Sequence, residues 1–226
     1  MRKYTWLLFD ADDTLFDFHK SQASALQQTL EQCGLPFSTE FHGLFAQFNN
    51  QVWREFERGE INHLALRLKR FSLFFDETRL NGDPQTISPL YLRNLSQGSH
   101  LFDGAEEVIR TLKKSHRLAL VTNGVKEVQR PRLARSAIAD CFEQIFVSDE
   151  MGVAKPHRAY FDAVFDGIGQ PPRDAALIIG DNLNTDMQGG LDYGIHTCWY
   201  NPSGLVSDMP VTYTIADLKE LIDLLS

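Results

Sequence analysis

The feature that most limits what this chain can fold into is a short apolar and aromatic run at residues 4–9 that ends abruptly in Asp10-Ala11-Asp12-Asp13. A buried strand that delivers carboxylates at its C-terminal edge has this pattern. Four more runs share its character, at residues 117–121, 144–147, 176–179 and 195–199. Between them lie helix-period faces. Ala105, Val108, Ile109 and Leu112 make one, and Tyr160, Phe161, Val164, Phe165 and Ile168 make another. Apolar strands alternating with such helices predict an α/β fold, a Rossmann-like and mostly parallel sheet covered on both faces. Leu218, Leu221, Ile222 and Leu225 repeat at helical spacing near the end and are expected to pack on that sheet.

Residues 17–96 read differently. They show little strand pattern, and several helical faces follow one another. Ala23, Leu26, Leu30 and Cys33 line the first, which ends at Gly34 and Pro36. Ser38 is placed to cap the second, which carries Phe41, Phe45, Phe48, Val52 and Phe56. Leu64, Leu68, Phe71 and Phe75 carry a third, and Asn81-Gly82 and Pro84 break the chain before a fourth. Ten of the sixteen phenylalanines fall between Phe16 and Gln97, so this block needs a core of its own. The expected organisation is a sheet domain of residues 1–16 and 97–226, with an all-helical domain, 17–96, inserted after the first strand.

Charge narrows the partners. The 226 residues carry 22 Lys+Arg against 30 Asp+Glu, a net charge of −8. That argues against a nucleic-acid polymer as partner, because no basic field faces a phosphate backbone. A small anionic substrate remains open, since one metal ion and one lysine reverse a local potential. Cys33, Cys141 and Cys198 are widely spaced, form neither CxxC nor a disulfide framework, and are expected to be core residues. The basic first residues precede an apolar stretch too short for a secretion signal, and no run approaches the roughly 20 apolar residues that span a bilayer. The expectation is a cytoplasmic protein with no membrane partner, a monomer or weak dimer.

The polar residues at the ends of the runs form a series. Asp10 and Asp12 are two close carboxylates, costly to ionise together unless a cation compensates. A hard cation such as magnesium, which prefers oxygen ligands, is the simplest solution. An acidic loop at a strand end is the bland alternative. Gly180-Asp181 ends a second run in the same way, and Asp186 either supports the site or merely suits a helix N-terminus. Thr122-Asn123-Gly124 offers a hydroxyl and amides to phosphate oxygens, though a turn without ligand uses Asn-Gly equally well. Lys155-Pro156 follows the run at 144–147, where proline restricts the lysine to extended geometry. Together these side chains are an inventory for phosphoryl transfer through an aspartyl-phosphate. No P-loop, dinucleotide fingerprint or HExxH is present.

Asp10-x-Asp12-x-Thr14-Leu15, Thr122-Asn123, Lys155-Pro156 and Gly180-Asp181-x-x-x-x-Asp186 resemble, in order, the four motifs of the haloacid dehalogenase-like hydrolase superfamily. The resemblance implies that Asp10 is the nucleophile and Asp12 the general acid and base. It implies that Thr122, Asn123 and Lys155 bind phosphate. Magnesium, with manganese as substitute, would be held by Asp10, the backbone carbonyl of Asp12 and Asp181, with Asp186 supporting. The helical block resembles that superfamily's cap, and Asp12 argues against its dehalogenase branch. A closer likeness, to the bacterial pyrimidine 5′-nucleotidases, rests on Asp10-Ala11-Asp12-Asp13-Thr14-Leu15-Phe16, Asn49-x-x-x-Trp53, Arg70-Phe71, Val121-Thr122-Asn123-Gly124, Gly152-Val153-Ala154-Lys155-Pro156 and Thr197-Cys198-Trp199-Tyr200-Asn201. Pro131 departs from it, in a stretch where a helix is expected.

The implied substrate is a small phosphorylated metabolite, a pyrimidine nucleoside monophosphate of the dUMP, UMP or dTMP type. Asn49, Trp53 and Arg70 are the candidate substrate contacts: Trp53 to stack on a base, Asn49 to read an edge or cap a turn, Arg70 to reach phosphate or form a surface pair. A phosphoglycolate or sugar-phosphate phosphatase, a β-phosphoglucomutase-like enzyme, and a non-enzymatic phosphate-ligand binding protein are the alternatives.

Overall fold

In the computed structural model, which describes residues 3–226, the five apolar runs are strands. They are β1 (Trp6–Phe9), β2 (Arg117–Thr122), β3 (Gln144–Val147), β4 (Ala176–Gly180) and β5 (His196–Tyr200). A sixth strand, β6 (Tyr213–Ile215), adds an edge that the sequence pattern did not reveal, because three residues are too short for a visible alternation. All pairings are parallel, in the order β3-β2-β1-β4-β5-β6.

Alternation sorts the side chains of β1. Leu7 and Phe9 join one core cluster with Leu118, Leu120, Leu177 and Ile179, covered by Ala105, Val108, Ile109 and Leu112 of α5 (Ala105–Leu112). Trp6 and Leu8 join the other with Ala119, Val121 and Ile178, covered by α8 (Arg158–Ile168) through Tyr160, Phe161, Val164, Phe165 and Ile168. Both faces of the central strands are therefore dry, which is why these strands read as continuous apolar runs. The order reverses between β1 and β4, and in such sheets the crevice at the carboxyl ends of the strands beside that reversal is where ligands bind. Asp10 and Asp181 follow those two strands.

The chain divides into two units. One contains the residues up to Asp17 with His100–Lys126 and Leu133–Ser226; the other contains Phe18–Ser99 and Glu127–Arg132. The second unit is built on α1 (Phe18–Gln32), α2 (Thr39–Glu57), α3 (His63–Thr78) and α4 (Pro84–Leu95). Ser38 caps α2 by accepting the Phe41 N–H at 3.1 Å. Asn62 caps α3 in the same way, and Asp83 with Pro84 opens α4. Phe45, Phe71, Phe74 and Tyr91 form its aromatic core, with ring centroids 4.9 Å apart for Phe45–Phe71 and 5.2 Å for Phe45–Tyr91.

Several sequence expectations are corrected here. Leu64 is 66% exposed, and Leu66 takes the buried place on α3. Cys33 is exposed, while Cys141 and Cys198 are buried. Of the helical repeat near the end, Leu218 and Leu225 lie outside the final helix, which is only Glu220–Leu224. Pro131 lies inside α6 (Lys126–Arg135), which continues past it.

Candidate active site

Four strand-end segments of the sheet unit bring Asp10, Thr122, Lys155, Asp181 and Asp186 together. Directly after Asp10 the backbone turns: the Leu15 and Phe16 N–H groups both donate to the Ala11 carbonyl, and Asp13 N–H donates to that of Phe16. Asp13 adopts a left-handed φ of 57°, a conformation that Asp tolerates better than most residues. This turn places Asp12 next to the strand end without extending the strand. Thr122 ends β2 and is buried, its hydroxyl oxygen accepting the Gly124 N–H at 3.1 Å.

Lys155 sits between α7 (Ser148–Met151) and α8 and is almost wholly buried. Its ammonium donates to Asp10 at 2.5 Å, to Asp186 at 2.6 Å and to the Val121 carbonyl at 2.8 Å. Burial opposes its charge, but Asp10 and Asp186 more than offset that, and its pKa is raised. For Asp10, burial outweighs Lys155, and with repulsion from Asp186 and Asp12 it lifts the carboxyl to about 7. Burial first, then Asp10, Asp186 and Asp13, pushes Asp181 well up.

One oxygen each from Asp10, Asp181 and Asp186 lies within 4.8 Å of the others. Two carboxyls driven up by burial and mutual repulsion, in a set offering only hard oxygen donors, are the chemistry that a hard divalent cation relieves. The residues fit magnesium. Gly180 is required by close approach: a Cβ there would collide with the Asp186 carboxylate. Asp186 is thus no mere helix-end acid. It is buried, tied to Lys155, and accepts the Asn182 N–H at 3.2 Å.

The haloacid dehalogenase-like hydrolase family model matches residues 4–194 of the chain. The chain belongs to the haloacid dehalogenase-like hydrolase family. It is an enzyme of the phosphatase kind, similar over its full length to several family members. The Bacillus subtilis protein YfnB, named as a HAD-hydrolase, is 37% identical over 228 residues, covering 100% of this chain and 97% of YfnB. The YfnB crystal structure, described as bound to magnesium and revealing interdomain movement, matches with a TM-score of 0.93 and covers 100% of both chains at 36% identity. The Escherichia coli pyrimidine 5′-nucleotidase YjjG is 30% identical, covering 99% of this chain and 98% of its own. The Streptococcus pneumoniae pyrimidine 5′-nucleotidase PynA is 31% identical, covering 98% and 95%.

Three residues that hold this hydrolase site together went unassigned in the sequence. The Thr14 hydroxyl donates to the Asp181 carboxylate at 3.2 Å, and the Trp199 indole N–H donates to the Asp181 backbone carbonyl at 2.8 Å. The Val121 carbonyl receives the lysine ammonium. Thr14, Val121 and Trp199 all lie in the motifs given above, which was the available signal, though no motif marks a backbone carbonyl as an acceptor.

In the helical unit, Asn49 and Arg70 are buried, and the guanidinium donates to the Asn49 side-chain oxygen at 3.1 Å. Asn49 therefore caps no turn, lying inside α2, and Arg70 forms no surface pair. Trp53 is half-buried, edge-on to Phe56 with centroids 5.6 Å apart. Asn123 directs both its side-chain groups at the Lys155 backbone.

Proposed function

We propose that this hydrolase is a magnesium-dependent phosphomonoesterase that works through an aspartyl-phosphate on Asp10, and that its substrate is a pyrimidine nucleoside 5′-monophosphate. The observation that carries the chemistry is the Asp10 carboxylate at the tip of β1, bound by the Lys155 ammonium at 2.5 Å beside Asp181 and Asp186. An Asp10 oxygen attacks phosphorus, and the bond from phosphorus to the ester oxygen breaks. Asp12, starting protonated, gives its proton to the departing alkoxide. Asp12, now a carboxylate, takes a proton from water as that water's oxygen attacks the phosphorus of the aspartyl-phosphate. The phosphorus–Asp10 bond breaks, releasing inorganic phosphate and restoring both carboxyls. Thr122 donates its hydroxyl to a phosphoryl oxygen, and Lys155 neutralises charge between Asp10 and the phosphoryl group. Magnesium, or manganese in its place, would be held by Asp10, the Asp12 carbonyl and Asp181 with Asp186 in support, and supplies positive charge to the phosphoryl oxygens.

The substrate class rests on two supports: the motifs shared with pyrimidine nucleotidases, and full-length similarity to YjjG and PynA. Asn49, Trp53 and Arg70 are the residues assigned to the nucleoside. The test is phosphate release from dUMP, UMP, dTMP, CMP, AMP, phosphoglycolate and sugar phosphates at matched concentration with magnesium. The pyrimidine nucleotides are expected to lead. Preference for phosphoglycolate or a sugar phosphate would overturn the substrate while leaving the chemistry. Asp10→Asn is expected to lose at least about a thousandfold in kcat, as removal of a covalent nucleophile does. An unchanged rate in that variant would reject the covalent route, and no release with any divalent metal would leave a binding protein.

A further inference from the structure

Lys155 is attached to the end of β2 at two places, and Asn123 makes one of them. The Asn123 side-chain amide donates to the Lys155 carbonyl at 2.8 Å, and the Asn123 side-chain oxygen accepts the Lys155 N–H at 2.8 Å. The Lys155 ammonium returns to the same strand end, donating to the Val121 carbonyl at 2.8 Å. Thr122 lies between these two anchor points, its side chain buried. Three successive residues of β2 and its turn thus hold the backbone of Lys155, the Thr122 hydroxyl and the head of the lysine in one frame.

An Asn-Gly turn with no such task would spend its side chain on local backbone or solvent. Here the amide reaches a loop 32 residues later and satisfies both backbone polar groups of one buried residue. Without that clamp, the lysine is fixed only through its flexible four-carbon stem, whose rotamers allow the backbone to shift while the ammonium stays charged. Phosphoryl transfer is sensitive to such shifts, since a misplacement of about 1 Å costs roughly a hundredfold.

We propose that the Asn123 side chain is a positioning group: it locks the Lys155 backbone to the tip of β2, so that the ammonium stays between Asp10 and Asp186, and it acts on phosphoryl transfer through Lys155, the side chain itself not touching phosphate. This revises the direct phosphate contact expected from the motif, and it rests on the reading of Asp10 and Lys155 as parts of the phosphoryl-transfer machinery.

The test is a double-mutant cycle on release of phosphate from an aryl phosphate with magnesium present, each variant also followed by thermal melting. Asn123→Ala in the otherwise intact enzyme is expected to lower kcat about 10- to 100-fold. In a Lys155→Met background, assayed at high enzyme concentration, the same substitution is expected to change the residual rate less than about twofold. An equal factor in both backgrounds would mean that Asn123 meets the phosphoryl group itself, and the proposal falls. An unchanged kcat in Asn123→Ala also overturns it. A Lys155→Met enzyme at the native rate would remove the underlying reading instead, a result distinct from either. If Asn123→Ala fails to fold, Asn123→Asp keeps the shape and the acceptor for the Lys155 N–H but faces the Lys155 carbonyl with a second acceptor. A slowed, folded Asn123→Asp supports the clamp, and a native rate rejects it.

Discussion

Lys155 in the sheet unit and Arg70 in the helical unit are each only 2% exposed, yet they are compensated in opposite ways. Lys155 meets two carboxylates and a carbonyl. Arg70 meets one amide oxygen, from Asn49, and the faces of Tyr91 and Phe71, 4.7 and 5.7 Å from the ring centroids. Its Nε and one terminal nitrogen have no hydrogen-bond partner among the described residues, and burial lowers its pKa. A buried cation with carboxylates at hydrogen-bond distance is a finished electrostatic unit. One held by an amide and ring faces costs stability, by the full desolvation of the unmatched donors. The sheet unit therefore spends its buried charge inside its own site, whereas the helical unit keeps donors in reserve.

The sharpest way to break this contrast is to make both cations apolar. Lys155→Met leaves Asp10 and Asp186 buried without their cation and should cost about 3–5 kcal/mol, seen as a large fall in the denaturant midpoint of the metal-free protein. Arg70→Met combined with Asn49→Leu removes both partners of the other pair, and should be neutral or stabilising. A strongly destabilised double variant would mean that the guanidinium is structurally required. If those two side chains serve the nucleoside, kcat/KM for nucleotides should fall while the fold holds.

A second prediction concerns pH. In the metal-free protein Asp10 titrates near 7 and Asp181 is raised in the same direction, above the ordinary value of 3.8. The folded state then binds protons that the unfolded chain releases near pH 4, so stability should fall as pH rises from about 4 toward 7. Magnesium should flatten that slope. Melting temperatures taken across this range with chelator and with excess magnesium check it, and a slope indifferent to the metal would argue against metal binding by these carboxyls.

The helical unit offers two smaller effects. If Trp53 stacks on a base, Trp53→Ala should cost nucleotides about 5- to 150-fold in kcat/KM and an aryl phosphate far less, taking the stacking scale of roughly 1–3 kcal/mol by analogy with single-stranded nucleic acids. Equal losses on both would make Trp53 a packing residue. Ser38→Ala should remove the α2 cap for about 1 kcal/mol, a melting shift of roughly 2–4 °C, with kcat unchanged.

The sheet, and the strand-end positions of the candidate site residues, were readable in the sequence because each part leaves a local mark. Strands buried on both faces become apolar runs, and the acids, threonine and lysine stand where those runs stop. The family motifs then order Asp10, Thr122, Lys155 and Asp181 along the chain. β6 left no mark because it is three residues long. The helical faces were legible as period but not as orientation. Leu64 and Leu66 are both apolar and two positions apart, and only packing puts one outside and the other in.

What the sequence determined by itself is the alternation of elements, the cap at Ser38, and the set of candidate reacting groups at the strand ends, since these depend on residues near one another in the chain. Tertiary structure decided which groups share a partner. Asn123 and Lys155 are 32 positions apart, Lys155 and Asp10 145, and no propensity or period encodes those distances. The sheet order places β4 beside β1, which brings Asp181 to Asp10 and turns separate acids into one electrostatic problem, with raised pKa values and oxygens close enough to share one cation. Charge and hydrogen bonding act over a few ångströms of space, while a sequence records only neighbours along the chain.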